Sequence, residues 1–223
     1  GHPRMLLNRA NFKLLFTPSE RNLIARSLAI PRMEKIHFTH EFAALAPEDF
    51  VAYIAEKYRV GGLVVGENFR FGRGRSGGPE ALAELARGRG GSLDVISSYR
   101  LDWRVVSSTE TRRAVMAGEM ALASTLLGYP FIISGTVAKG EERGRNLGYR
   151  TANIPLKEGK IYPPHGVYAA LSYIGGEWRG VALNIGSNPT FGADRTPRCE
   201  AHVLGFCDEL YDTHLRLFVI GRI

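Results

Sequence analysis

No apolar run in this sequence is long enough to cross a bilayer as a helix, and its start carries no signal-peptide pattern. The expectation is a cytoplasmic protein without a membrane partner. Cysteine is scarce: Cys199 and Cys207 are the only two. Two cysteines eight apart make neither a disulfide framework nor a metal site. Both read as small hydrophobes buried in a strand-like region. There is no internal repeat, which excludes a solenoid. A dense basic block is also missing. The formal net charge of +7 is spread out, with 18 Lys and Arg against 13 Asp and Glu before Pro130 and 11 against 9 after it. Such an excess suits an anionic small ligand such as a nucleotide, and nothing concentrated marks a nucleic-acid surface.

What is present is material for a core, 44% hydrophobic over 223 residues, enough for one large or two small domains. The texture changes at Tyr129-Pro130. Before it, helix and strand patterns alternate. Thr17 caps a helix over Pro18 to Ala29, and Lys35 to Phe38 reads as a short strand. Pro47 to Lys57 reads as a helix with an acidic first turn. Gly62 to Val65 is an apolar run with the look of a buried parallel strand. Pro79 to Arg87 is helical, and Leu93 to Ile96 is a strand. That alternation predicts an open, doubly wound sheet. Two further helices follow, one opened by Ser108 or Thr109 as cap and stopped near Gly118, the other ending at Gly128. After Pro130 strands dominate, including a hairpin turned by Gly175-Gly176. Many strands in so short a stretch predict a small closed barrel.

Four stretches carry polar chemistry. In GRNLGYRTANI (144–154), Thr151 and Asn153 are two apart and project to one side of a strand. They suit the neutral oxygen shell of a Mg²⁺ held by phosphates, or they are ordinary residues after a turn. VGENFRFG (65–72) follows a strand directly, where ligands bind in open α/β sheets. Asn68 and Arg70 suit ligand contacts there, while Phe69 and Phe71 suit either a planar ring or the core. Ser107, Ser108 and Thr109 with Arg112 one turn on form either a phosphate cradle or a plain N-cap. Glu200 lies in a strand among apolar neighbours. A carboxylate there is costly without a task or partner; general base is one such task, and an exposed strand face is the other reading.

The order of the motifs says more than any one of them. VGENFRFG, SSTETR (107–112), GRNLGYRTANI, GVYA (166–169), NIGSNPTF (184–191) and EAHVLGF (200–206) with DELYD (208–212) together resemble prokaryotic bifunctional riboflavin kinase/FAD synthetase over nearly the whole chain. The resemblance implies a Rossmann-like nucleotidyltransferase α/β domain over residues 1–128 and a riboflavin kinase β-barrel over 129–223. It implies ATP, riboflavin and FMN as substrates, FAD as a product, and Mg²⁺ arriving with ATP. In the kinase module it carries the metal ligands onto Thr151 and Asn153 and the general base onto Glu200. Gly144, Arg145 and Gly148 would form the flap over the nucleotide, with Asn188 also in the nucleotide or flavin site. In the adenylyltransferase module, Asn68, Phe69 and Arg70 fall on the strand-end motif that holds flavin and nucleotide. Ser107, Ser108, Thr109 and Arg112 fall on the signature near the ATP phosphates.

The chain departs from the family pattern in places. The strand and GxFDGxHxGH motif that open the family's first module do not occur in it, and the resemblance assigns ATP-phosphate binding to those histidines. Arg150 stands where the family has proline, Thr111 where it has an aliphatic residue, and the family's closing helix is not found. The expectation is therefore a fragment with the kinase machinery mostly in hand and adenylyl transfer short of its phosphate-binding histidines. Two rivals follow: a non-catalytic flavin- or nucleotide-binding protein that kept the fold, and a single-stranded nucleic-acid binder built on a small barrel.

Overall fold

The computed structural model describes residues 12–58, 60–138, 151–186 and 198–223. The chain packs as two compact units. One contains Phe12 and Glu34–Val105; the other contains Lys13–Met33, which carries helix α1 (Pro18–Ser27), and Val106–Ile223. These units cut the chain elsewhere than after residue 128. Lys13–Met33 and the two helices before Pro130 pack with the barrel, because their buried side chains find partners on its strands.

The first unit is α/β. Helix α2 (His40–Ala43) is capped by Thr39, and helix α3 (Pro47–Lys57) opens on Pro47 with Glu48 and Asp49 in its first turn. Strand β1 (Gly62–Gly66), helix α4 (Pro79–Arg87) and strand β2 (Ser92–Ile96) follow, and β1 and β2 pair in parallel with Leu63 opposite Leu93. A short hairpin, β3 (Arg100–Leu101) and β4 (Arg104–Val105), ends the unit. Val51, Phe71 and Leu82 form its buried centre, with Leu63, Val65 and Leu93 packed against it. The strand expected to be buried is only half-buried, and on that side alone, through Leu63 and Val65. On the opposite face Val64 is 67% exposed and Ile96 57%. Lys35 to Phe38 is not a strand. No described backbone pairs with it, and a strand without a partner leaves its amides unsatisfied.

The second unit is built on a six-stranded antiparallel sheet in the order β5–β10–β7–β8–β9–β6. The strands are β5 (Phe131–Thr136), β6 (Ala152–Pro155), β7 (Gly166–Ile174), β8 (Glu177–Gly186), β9 (Arg198–Val203) and β10 (His214–Arg222). A bridge between Ala138 and Asn153, with the Ala138 amide donating to the Asn153 carbonyl at 2.8 Å, joins the two edges and closes the ring. Closure removes the exposed sheet edges. Period-two alternation fills the interior. Ile154, Tyr168, Leu183, Ile185, Cys199 and Leu217 are among the side chains turned inward, each 1% exposed or less. The Gly175-Gly176 turn has positive φ at both residues, 64° and 88°, as a two-residue hairpin of primed type requires.

Helix α5 (Ser108–Ala117) ends at Gly118 and helix α6 (Met120–Leu127) at Gly128, each glycine left-handed. α6 packs on β5 and β10 through buried Met120, Ala123 and Leu126. α1 is fastened by its own cap. The Thr17 hydroxyl accepts from the Glu20 amide at 3.2 Å, and Glu20 Oε2 accepts from the Thr17 amide at 2.8 Å. The other oxygen of Glu20 reaches the barrel. Oε1 lies 2.6 Å from Lys160 Nζ and accepts from the Ser134 hydroxyl at 2.9 Å.

Candidate active site

Three polar residues stand in one row across the barrel wall. β6 pairs with β9 so that Asn153 lies opposite Glu200, and β9 pairs with β8 so that Glu200 lies opposite Asn184. Direct cross-strand partners share a face, with side chains about 5 Å apart. The face is the outer one, since flanking Ala152, Ile154, Cys199, Ala201, Leu183 and Ile185 are all buried inside. Thr151, exposed, immediately precedes β6, on the same side of buried Ala152 as Asn153. Further along the outer face Val167 stands opposite Asn184, and Ala182 opposite both His202 and Ala169. The row thus borders a shallow surface of small side chains.

Glu200 is half-buried and makes no hydrogen bond or ion pair among the described residues. Its carboxylate is flanked across the strands by the amides Asn153 and Asn184. Directly behind it, burial pushes the Cys199 thiol up to about 12, and the charge of Glu200 adds to that. Cys199 is therefore an inert core residue, as expected. Cys207 is exposed instead: it lies past the end of β9, where the alternation that buries Cys199 has stopped.

The remaining predicted residues fall as follows. Gly144, Arg145, Gly148 and Asn188 lie outside the described residues. Asn68 donates to the Ser98 hydroxyl at 3.2 Å, and Glu67 beside it accepts from the Ser98 amide at 3.0 Å. Arg70 folds back on its own loop, donating to the Phe69 carbonyl at 2.7 Å. The Phe69 ring stacks on Phe71 with centroids 5.7 Å apart and lines an apolar cavity of about 160 Å³ together with Phe50, Ile54 and Leu63. Ser107, not Ser108 or Thr109, is the N-cap of α5, its hydroxyl accepting from the Glu110 amide at 3.2 Å. Ser107 alone has the extended backbone that aims its oxygen at the first turn, and Ser108 and Thr109 stay exposed as the first helical residues. Arg112 donates to the Lys13 carbonyl at 3.1 Å and the Ser108 carbonyl at 2.9 Å. The Asn68 group and the Ser107 group belong to different compact units.

Asn184 was not singled out by sequence reasoning. The available signal was alternation: it sits between inward Leu183 and Ile185, so it had to face outward beside whatever β9 presents. Among the described residues no group of three or more His, Cys, Asp or Glu is arranged to hold a metal. The neutral oxygens of Thr151 and Asn153 are a donor set that fits a cation arriving with phosphates in its shell.

Residues 127–223 match the family model for riboflavin kinase and residues 1–110 that for FAD synthetase. The bifunctional riboflavin kinase/FMN adenylyltransferase of Listeria monocytogenes is 33% identical over 212 residues, covering 94% of this chain and 67% of that protein. That of Bacillus subtilis is 32% identical, covering 100% and 71%. That of Escherichia coli (strain K12) is 37% identical over 191 residues, covering 84% and 60%. The chain thus spans between 60% and 71% of the length of these three relatives. The crystal structure of a macrolide-efflux protein from Streptococcus pneumoniae superposes with a TM-score of 0.86 at 26% identity, covering 99% of this chain and 72% of that one. With both domain families in the same order and relatives at this identity along nearly its whole length, the chain belongs to the bifunctional riboflavin kinase/FMN adenylyltransferase family of flavin-cofactor transferases.

Proposed function

We propose that the outer face of the barrel phosphorylates riboflavin with MgATP. The observation that carries this reading is the in-register row Asn153–Glu200–Asn184. Glu200 takes the proton from the ribityl 5′-hydroxyl as that oxygen bonds to the γ-phosphorus of ATP. The bond from that phosphorus to the β,γ-bridging oxygen breaks, leaving FMN and ADP. Phosphoryl transfer of this kind rests on positioning and charge stabilisation more than on covalent chemistry by the protein. Thr151 and Asn153 would hold the Mg²⁺, which when bound neutralises phosphate charge. Asn184 flanks Glu200 on its other side and orients either the carboxylate or the incoming hydroxyl. The small side chains Ala169 and Ala182 leave room for a flat ring beside them.

The second activity, adenylyl transfer to FMN, is proposed from the match over residues 1–110. An FMN phosphate oxygen would attack the α-phosphorus of ATP and release pyrophosphate, giving FAD. Asn68, Phe69, Arg70, Ser107, Ser108, Thr109 and Arg112 are the residues proposed for it. ATP, riboflavin and FMN are the proposed partners, and the cytoplasm the proposed location. Among the described residues no helix is long and apolar enough to cross a membrane.

The test is to incubate the chain with riboflavin, ATP and Mg²⁺ and separate the flavins by chromatography. Appearance of FMN supports the kinase reading. Absence of FMN with riboflavin bound would overturn it in favour of a non-catalytic binder. FAD alongside FMN supports the second activity in this chain, and FMN without FAD removes it.

A further inference from the structure

A polar cavity lies away from the Glu200 row, between α1 and the outer face of β5 and β10. It has a volume of about 220 Å³ and is lined by Ser19, Asn22, Leu23 and Arg26 from α1 and by Ser134, His214 and Arg216 from the strands, with Glu20 at its base. The helix residues lie three, four and seven apart and so share one face. His214 and Arg216 are two apart on β10 and share the other, with Arg216 opposite Ser134.

The charges here do not balance. Glu20 is occupied: its two oxygens meet Lys160, the Ser134 hydroxyl and the Thr17 amide. Arg26, Arg216 and His214 make no ion pair or side-chain hydrogen bond among the described residues. Two guanidinium groups, an imidazole, hydroxyls and an amide thus converge on one space whose only carboxylate is already neutralised. Guanidinium forks match phosphate oxygens bidentately. The volume, about 220 Å³, is below the range of about 300–1,000 Å³ usual for drug-sized ligands, which suits an anion smaller than a flavin or a whole nucleotide.

We propose that this cavity is a binding site for a small free phosphate anion, inorganic phosphate or pyrophosphate, bridging α1 to β10. Arg26 and Arg216 clamp it from the two sides, with Asn22 and Ser19 completing its shell. The site is separate from the ATP-binding row and does not depend on either proposed activity.

The experiment is calorimetric titration of the whole chain with sodium pyrophosphate and, separately, sodium phosphate, in EDTA to suppress metal-dependent nucleotide-site binding. Thermal melts with each anion accompany it. Saturable binding and a raised Tm are expected for at least one anion, and the two arms tell the diphosphate from the monophosphate. Arg26→Ala and Arg216→Ala should each weaken binding about tenfold, the loss of one hydrogen bond to a charged group. Asn22→Asp, on an exposed helix position, should weaken it similarly by adding a negative charge with little change of shape, and it decides the matter if an arginine variant folds poorly. Asn153→Ala should leave binding intact. No saturable binding of either anion overturns the proposal. So does binding that survives all three cavity variants, and its loss in Asn153→Ala would then place the anion at the barrel row.

Discussion

Glu20 and Lys160, 140 residues apart in sequence, form a buried ion pair whose side chains are 1% and 2% exposed. The ammonium also donates to the Ile132 carbonyl and lies 4.9 Å from the centroid of the Phe131 ring. One carboxylate thereby closes a helix cap and anchors that helix to a barrel strand. A buried pair of this kind is costly to break from one side, because the remaining charge has nowhere to go. Glu20→Gln should destabilise the second unit by about 3–5 kcal/mol. Lys160→Met added to Glu20→Gln should recover much of that loss, since no lone charge is then left buried. Denaturant midpoints of the wild type, Glu20→Gln, Lys160→Met and the double variant check this; additive losses would show that the two residues do not act as a pair.

The same pair has a pH signature. Burial pulls Lys160 down to about 8, with the attraction of Glu20 opposing it. In the unfolded chain a lysine holds its proton to about 10.4. Between these values the folded protein binds fewer protons than the unfolded one, so its stability relative to Lys160→Met should rise with pH across that window. The slope is at most about 1.4 kcal/mol per pH unit. Below pH 8 the penalty of burying the charged amine is fully present and the difference should be flat. Urea titrations of both proteins from pH 7 to 10 measure it, and a fall across the window would contradict the assignment.

At the barrel row, Glu200→Gln should lower riboflavin phosphorylation by about 10²-fold or more while MgATP still binds, if proton abstraction is its role. Unchanged turnover would remove Glu200 from the mechanism. Asn153→Ala should weaken MgATP far more than riboflavin. Equal losses of both would point to damage to the barrel seam, where the Asn153 carbonyl accepts from Ala138.

Gly135 is a packing requirement of that seam. A Cβ placed on it would stand 2.6 Å from Ile154 Cγ2, inside the barrel where Ile154 is 1% exposed. Gly135→Ala should cost about 1–3 kcal/mol by overpacking. Combined with Ile154→Ala it should cost less than the two changes added, because each relieves the other. Strict additivity in thermal melts would place the strain elsewhere.

The two thiols should differ. Exposed Cys207 should react with an aromatic disulfide reagent in the native protein, and Cys199, its pKa pushed up by burial, should not. One thiol titrated when native and two after denaturation is the expected count. Two native thiols would mean that the β9 interior opens.

Much of this was legible along the chain, and the reasons are local. Thr17, Gly118 and Gly128 mark helix ends by their own backbone and side-chain chemistry, whereas the short helix capped by Thr39 was not read from the sequence. The alternation of Cys199, Ala201 and Val203 with Glu200 and His202 assigns inside and outside at once. The order of motifs carried the family, and Thr151, Asn153 and Glu200 were found as candidates. What the sequence could not show depends on which distant residues meet. It did not reveal that Asn153 and Glu200 are direct neighbours, or that Asn184 completes their row, because strand register is set by the closed ring and not by any one strand. It did not reveal that Lys13–Met33 packs with the barrel, because Glu20 reads as a plain capping residue until Lys160 and Ser134 are brought to it. Local propensities and motif order were written in the residues; the row Asn153–Glu200–Asn184 and the buried ion pair arose only when closure of the barrel brought remote side chains within reach of one another.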